Sequence, residues 1–254
     1  MRYPVIGAMK KLILGLLLFI TACQSATPAP VAATLAPTGT PSPSPIPATD
    51  TPSPTATPEP TATPFPMFFT DEFDSFPAAW TMLQAGNEAT PNIAVENSRL
   101  LIQMDAPYTW VYSLYGQQEY GDVRIDTRFV NSALTPASAG LICRYSETDG
   151  WLEYNVTSDG TYNLLYGEWL SRGVAKYLPI VDGSSNAIPQ SGMELQIGLI
   201  CRGTTATLLI NDTVIRNADV SRFELATGQV GLAASSYENT PVIVSFDWFK
   251  VSEP

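Results

Sequence analysis

The stretch that decides the fold class is residues 122–130, Asp-Val-Arg-Ile-Asp-Thr-Arg-Phe-Val. Val123, Ile125, Thr127 and Phe129 occupy every second position on one side, and the charged residues at 122, 124, 126 and 128 alternate with them. Side chains on a β-strand point alternately to opposite faces. A strand with this pattern buries one face, and a slip of one residue would exchange the two faces.

The same period of two continues through residues 67–254, and turn residues interrupt it every eight to twelve positions. No stretch shows the apolar spacing of a helix. Further strands are predicted at 99–105, 108–115, 139–146, 151–157, 160–166, 193–202, 205–211, 229–234 and 242–251. About a dozen strands in one domain predict an all-β fold, a two-sheet antiparallel β-sandwich of the jelly-roll type.

Several short motifs in this region resemble a known family. They are Phe69-Thr-Asp-Glu-Phe-Asp, Gly140-Leu-Ile-Cys-Arg-Tyr, Glu153-Tyr-Asn-Val, Leu209-Ile-Asn-Asp, Gly228-Gln-Val-Gly-Leu and Phe246-Asp-Trp-Phe. Together they resemble the concanavalin A-like lectin/glucanase superfamily, and within it most the 3-keto-disaccharide hydrolase-type branch. The resemblance implies that the first and last strands pair and that one concave sheet forms a ligand groove.

The resemblance also implies a metal site. Relatives often bind a structural calcium ion where the terminal strands meet, and Asp71, Glu72 and Asp247 could supply its oxygen ligands. The alternative is that these carboxylates are simply solvated. No other cofactor is expected.

A polar face is predicted if strands 122–130, 140–145, 151–157 and 160–166 are neighbours. Its core side would hold Val123, Ile125, Phe129, Leu152, Tyr154 and Val156. Its other side would gather Arg124, Asp126, Arg128, Trp151, Glu153, Asn155 and Asn163, joined by Arg144. An aromatic ring beside charged groups and amides suits a sugar, because the ring stacks on C–H faces while hydroxyls need donors and acceptors. The alternative is a solvated face with weak ion pairs.

Other aromatic residues are weaker candidates for sugar stacking. Tyr108, Trp110 and Tyr112 share one strand face, for which core packing is the commoner fate. Tyr166 and Trp169 lie at the edge of a predicted hairpin.

Catalysis is constrained by the absence of histidine from the whole chain, which removes Ser-His-Asp and Cys-His mechanisms. The acids Glu147, Asp149 and Glu153 do not have the spacing of a glucanase motif, and Asp149-Gly150 is typical of a turn. A hydrolase or lyase acting on a modified glycoside would use Glu153 as acid or base, Asp126 as second group and Arg144 to orient the sugar. The branch's Arg and Glu-x-Gln resemble Arg144 and Glu153-Tyr-Asn155, with Asn in place of Gln.

Two cysteines lie at the same place in an identical pentapeptide, Gly140-Leu-Ile-Cys-Arg and Gly198-Leu-Ile-Cys-Arg. In an oxidising compartment, a Cys143–Cys201 disulfide between adjacent strands is favoured over two buried thiols. It would close a loop of about 58 residues, worth on the order of 4 kcal/mol.

The N-terminal region predicts export. Residues 1–22 have the basic flank and short apolar run of a signal peptide. They end in Ile20-Thr-Ala-Cys23, which resembles the bacterial lipobox and makes Cys23 the lipidated N-terminus. Residues 23–66 form a Pro/Thr/Ser-rich disordered stalk with 13 of the 22 prolines, whose polyproline II geometry could span roughly 130 Å. The expected location is the outer face of a bacterial membrane.

The folded region 67–254 carries 10 Lys and Arg against 22 Asp and Glu, which argues against nucleic acid as a partner. The leading interpretation is a surface lipoprotein whose domain binds carbohydrate or acts in adhesion. The glycoside-active enzyme and a protein-interaction module are the alternatives.

The lipid anchor depends on one side chain. Replacing Cys23→Ser removes the thiol that accepts the lipid, so metabolic palmitate labelling and partitioning into detergent should both be lost. A Cys23→Ser protein that still incorporates palmitate would contradict the lipoprotein interpretation.

Overall fold

The computed structural model describes residues 65–76, 78–132, 136–190 and 192–254. These residues form fifteen strands and one short 3-10 helix, Ser221–Phe223. The strands are β1 (Phe69–Asp71), β2 (Trp80–Gly86), β3 (Asn92–Val95), β4 (Leu100–Met104), β5 (Thr109–Tyr120), β6 (Val123–Asn131), β7 (Ala137–Ser146), β8 (Gly150–Thr157), β9 (Thr161–Ser171), β10 (Val174–Ser184), β11 (Glu194–Arg202), β12 (Thr205–Ile210), β13 (Thr213–Asp219), β14 (Gly228–Ser236) and β15 (Val242–Ser252).

The strands make two antiparallel sheets, which confirms the predicted β-sandwich. The first sheet has the order β13-β12-β11-β6-β15-β4-β3, with β1 paired to β15 beside the end of β4. The second sheet has the order β10-β9-β8-β7-β14-β5-β2. The pairing of β1 with β15 is the predicted contact between the first and last strands.

The main core lies between the sheets. All six residues predicted to face the core are buried in it: Val123, Ile125, Phe129, Leu152, Tyr154 and Val156. The alternation in the sequence therefore assigns the correct inward side to both β6 and β8.

A disulfide joins Cys143 to Cys201, as predicted. The expected geometry was wrong, because the two strands are not side by side. Cys143 lies on β7 in the second sheet and Cys201 on β11 in the first, with their Cα atoms 6.8 Å apart across the core. The identical pentapeptides mark equivalent inward-facing positions in opposite sheets.

Alternation in the sequence assigns no strand to five of these elements, β1, β2, β3, β10 and β13. The most consequential of them is β10, which lies at the edge of the second sheet and contains Pro179 and Gly183. Proline cannot donate a ladder hydrogen bond and is confined to sheet edges and bulges, and a bulge occurs at Pro179. These residues make β10 a poor match to a strand pattern.

The signal peptide, Cys23 and all but the last two residues of the stalk lie outside the described residues. Among the residues that the structure does describe, no helix is long and apolar enough to cross a membrane.

The disulfide predicts a thiol count. Because Cys143 and Cys201 are bonded, the purified chain in denaturant without reductant should show no reactive thiol from this pair, and reduction should release two. Reduction should also lower the free energy of unfolding by about 4 kcal/mol, as expected for a loop of this length. Two titratable thiols before reduction, beyond any contribution of Cys23, would contradict the bond.

Candidate functional site

The second sheet curls over its own outer face, the side turned away from the first sheet. β10 and β2 are its opposite edges, yet the N–H of Gly86 at the end of β2 donates to the carbonyl of Gly173 in the β9–β10 turn, at 3.0 Å. The Tyr177 hydroxyl on β10 also hydrogen-bonds to the Tyr112 hydroxyl on β5. Contacts from edge to edge thus close the face.

The end of β2 requires a glycine, Gly86, because the chain there packs closely against Tyr108 and Trp110. Gly86 has a φ of +84°, and a Cβ atom there would lie 2.2 Å from the carbonyl oxygen of Tyr108 and 2.7 Å from the ring of Trp110. No side chain fits at this point of closure.

Trp151 lies at the centre of the closed face, surrounded by four other aromatic rings. Its ring centroid is 5.2 Å from Trp169, 5.5 Å from Tyr145, 5.6 Å from Tyr112 and 6.1 Å from Tyr177. We call these five residues the aromatic cluster. Aromatic contacts of this kind contribute about 0.5–1.5 kcal/mol each beyond area burial.

The burial of Trp151 corrects a prediction. Trp151 was expected to be an exposed platform for sugar stacking, but it is 0% exposed. The strand register of Trp151 is as predicted. Trp151 is buried because the outer face of the sheet on which it lies is covered. The ring lies over Gly167, where a Cβ atom would come within 2.4 Å of it. Its loss would cost about 3–5 kcal/mol, as for other large buried side chains.

Glu153 lies beside Trp151 on the same face and is 2% exposed. Its two oxygens accept hydrogen bonds from the Trp151 indole N–H (2.9 Å) and the Asn155 amide (2.8 Å). Burial raises the pKa of Glu153, and these two bonds lower it in partial compensation. The pKa values of Tyr112 and Tyr177 are also raised, first by burial and then by the charge of Glu153.

Asn155 and Asn163 continue this polar row, as predicted. The Asn155 amide also lies 3.4 Å from the Asn163 side-chain oxygen. It packs over Gly140, where a Cβ atom would come within 2.4 Å of the amide oxygen. Asn155 is buried and holds Glu153 in place.

Arg144 does not join this row, contrary to prediction. It sits at a bulge in β7 with a φ of +54°. Its buried guanidinium donates to the carbonyl oxygens of Gly121 (3.2 Å), Gly203 (2.7 Å) and Leu225 (2.9 Å). Arg144 therefore ties three connecting segments together at the end of the sandwich, and is not available to orient a sugar beside Glu153.

Arg124, Asp126 and Arg128 are also separated from Glu153. β6 was expected to neighbour β7, but it lies in the first sheet between β11 and β15. Its charged residues belong to the outer face of that sheet, where Arg128 pairs with Asp247. The single predicted face is therefore two faces on opposite sides of the sandwich, and the candidate catalytic residues Glu153, Arg144 and Asp126 occupy three different places.

Two of the three expected calcium ligands, Asp71 and Asp247, have protein partners. The carboxylate of Asp71 accepts hydrogen bonds from the backbone N–H of Phe73 and the indole of Trp80, both at 2.9 Å. Asp247 is engaged by Arg128 and by Arg99. Within the described ranges, no group of three or more His, Cys, Asp or Glu side chains could hold a metal ion.

A large open groove borders the aromatic cluster. It has a volume of about 1300 Å³ and runs between the β2 segment and the β9–β10 turn. Trp169 and Tyr145 line it, joined by a 2.9 Å hydrogen bond from the indole to the phenol. The Gln229 side chain also lines it and makes no hydrogen bond to a described residue. The groove thus combines aromatic surface with an amide group.

The groove is acidic. Four carboxylates and one guanidinium are among its lining groups: Glu88, Glu119, Glu147, Asp149 and Arg172. Of the groove residues, sequence reasoning singled out only Trp169 as a binding candidate. Gln229 and Glu119 carry no local signal, because turns and strand pairing that are remote in sequence bring them to the groove.

The other aromatic candidates have different environments. Tyr108 is 49% exposed, whereas Tyr112 is buried in the aromatic cluster. Tyr166 stacks on Phe223, with ring centroids 4.4 Å apart.

Comparisons with known proteins define the fold. No protein-family model and no curated protein sequence matches the chain. Among solved structures, a Bacillus licheniformis β-glucanase is similar with a TM-score of 0.54 at 10% identity, covering 74% of this chain and 98% of that one. A Bacillus subtilis protein of unknown function with a galectin-like fold has a TM-score of 0.54 at 14% identity, covering 74% and 98%. A Bacteroides ovatus GH16 protein in complex with an oligosaccharide product has a TM-score of 0.52 at 11% identity, covering 72% of this chain and 99% of that one. The chain thus shares the two-sheet antiparallel β-sandwich fold of these proteins.

The buried carboxylate predicts a pH dependence. A group whose pKa is raised in the folded state contributes stability below its unfolded pKa, near 4.3, and loses it as the pH rises through the folded value. The free energy of unfolding of the wild type, minus that of Glu153→Gln, should therefore fall as the pH rises from about 4. Urea denaturation of both proteins over a pH series measures this difference, because the contributions of the other titratable groups are the same in both proteins and cancel. A difference that stays constant or increases would contradict the burial of Glu153.

Proposed function

We propose that the domain binds carbohydrate in the groove beside the aromatic cluster. The observation that carries the proposal is the joined pair Trp169 and Tyr145 on the wall of an open groove of about 1300 Å³. A half-buried indole offers a flat face to the C–H groups of a sugar, and the hydrogen bond to Tyr145 holds that indole in place. The amide of Gln229, which has no hydrogen-bond partner among the described residues, supplies both a donor and an acceptor for hydroxyls.

The negative charge of the groove indicates which class of glycan it would bind. Its four carboxylates outnumber its single guanidinium, so a polyanionic glycan such as a uronate or sulfated polymer would be repelled. Carboxylates accept hydrogen bonds from neutral hydroxyls and attract ammonium groups. The groove therefore favours neutral polysaccharides or polymers of amino sugars. Its volume exceeds the usual range of about 300–1000 Å³ for small-ligand pockets, which suits several sugar units.

The geometry favours binding over hydrolysis at Glu153. Glycoside hydrolysis uses two carboxyl groups, about 5–10 Å apart, on either side of the scissile bond. Glu153 is 2% exposed, and its hydrogen-bond partners among the described residues are Trp151 and Asn155, neither of which is a carboxylate. Because Glu153 is buried within the closed face, it is a positioning residue for Trp151.

The sequence of the N-terminal region supports a proposal that this domain is displayed at the cell surface. The lipobox ending in Cys23 supports a lipid anchor, and the Pro-rich stalk of residues 23–66 supports reach away from the membrane. A lipoprotein that holds polysaccharide near the cell is the function we infer.

Removing the stacking surface tests the groove. Trp169→Ala should weaken binding to a neutral β-glucan or to chitosan by at least about tenfold, the effect of losing about 1.4 kcal/mol at a central aromatic contact. Affinity electrophoresis in gels containing β-glucan, chitosan or polygalacturonate measures this, and polygalacturonate should not retard the wild type.

Phe76→Ala is the matched control, because Phe76 is an exposed aromatic residue outside the groove. It should bind like the wild type. Binding that survives Trp169→Ala, or a wild type that none of the three polymers retards, would contradict the proposed function; the second result would favour the protein-interaction module.

A further inference from the structure

A second depression lies on the opposite side of the sandwich, on the outer face of the first sheet. Its volume is about 310 Å³. We call it the β6 pocket, since residues of β6 form its floor. Its lining consists of Thr70, Glu72, Arg124, Asp126, Gln196, Asp212, Trp248 and Lys250.

The floor of the β6 pocket is a buried acid held in one orientation. Asp126 is 4% exposed, and each of its oxygens accepts a 2.8 Å hydrogen bond from the guanidinium of Arg124. Arg124 is bound in turn by Asp212 at 2.6 Å. Because two carboxylates already neutralise Arg124, its charge is not available to an incoming anion.

A glycine gives this acid its position. Gly198 is the cross-strand partner of Asp126, and a Cβ atom at Gly198 would lie 2.6 Å from an Asp126 oxygen. The carboxylate therefore lies across β11, over a residue without a side chain. On the other side its cross-strand partner is Lys250.

Three polar groups around the β6 pocket have no partner among the described residues. The ammonium of Lys250 and the carboxylate of Glu72 form no ion pair there, and the indole N–H of Trp248 makes no hydrogen bond to a described residue. The Trp248 ring is half-buried, so it presents surface to the pocket. A fixed acid, free donors and an aromatic wall thus converge on one small volume.

We propose that the β6 pocket binds a single sugar ring, at a site separate from the groove. The ring would stack on Trp248, while Lys250 and Gln196 donate hydrogen bonds and Glu72 and Asp212 accept them from hydroxyls. A volume at the lower end of the range for ligand pockets limits the site to one ring or a chain terminus. Three carboxylates against two cations in the lining fit a neutral sugar rather than a phosphate or sulfate.

The five tryptophans of the chain make the proposal directly testable. The full chain labelled with fluorotryptophan is titrated with methyl glycosides of glucose, galactose, mannose and N-acetylglucosamine, and the Trp248 fluorine signal is assigned with Trp248→Phe. At least one glycoside should shift this signal saturably. Lys250→Ala should weaken that binding about tenfold, as expected for the loss of a hydrogen bond from a charged donor.

Lys176→Ala is the matched control, because Lys176 is a solvent-exposed lysine on β10 in the other sheet. It should leave the Trp248 titration unchanged. The Trp169 signal reports the groove in the same experiment, so failure of the groove and failure of the β6 pocket are distinguishable. If no glycoside shifts the Trp248 signal, or if Lys250→Ala binds as the wild type does, the proposal is wrong.

Discussion

The closure of the second sheet over its own outer face determines what the rest of this molecule can do. Tyr177 reaches from one edge strand across four others to hydrogen-bond Tyr112, and Gly86 meets Gly173 where the two edges come together. These contacts exclude water from a face that an open sandwich would present to ligand. The surface that we propose for recognition is therefore the groove at the end of this face, where Trp169 and Tyr145 form the outer limit of the aromatic cluster.

Closure of this face buries a carboxylate, Glu153, which is unfavourable in free energy. A buried carboxylate without a cationic partner is unfavourable unless its oxygens are hydrogen-bonded. Both of them are, and one of the donors is the indole of Trp151. Because that bond fixes the ring against which Trp169 packs, the buried acid supports the groove wall without touching ligand. Such a role explains a charged residue at a site where an apolar one would pack at lower cost.

The sequence predicted local features better than long-range ones. Alternation gave the inward sides of β6 and β8 correctly, and the repeated pentapeptide pointed to the Cys143–Cys201 bond. It could not show that β6 and β7 belong to different sheets, because strand order depends on contacts remote in sequence. Nor could alternation reveal that the polar side of β8 is covered, since the covering strand β10 carries Pro179 and escapes the pattern. The predicted site therefore combines residues from the outer faces of both sheets with Arg144, which ties connecting segments together.

The closure of the second sheet requires that Trp151 be sealed within the closed face, and hydrogen exchange of its indole N–H tests this most directly. The N–H is bonded to Glu153 inside the aromatic cluster, so it should exchange only through global unfolding, at a rate that follows the free energy of unfolding as urea is added. The indole N–H of Trp248, which is half-buried and makes no hydrogen bond to a described residue, should exchange much faster in the same sample. If Trp151 instead exchanges as fast as Trp248, the face is open to water, which would rule out the closure of the second sheet over Trp151.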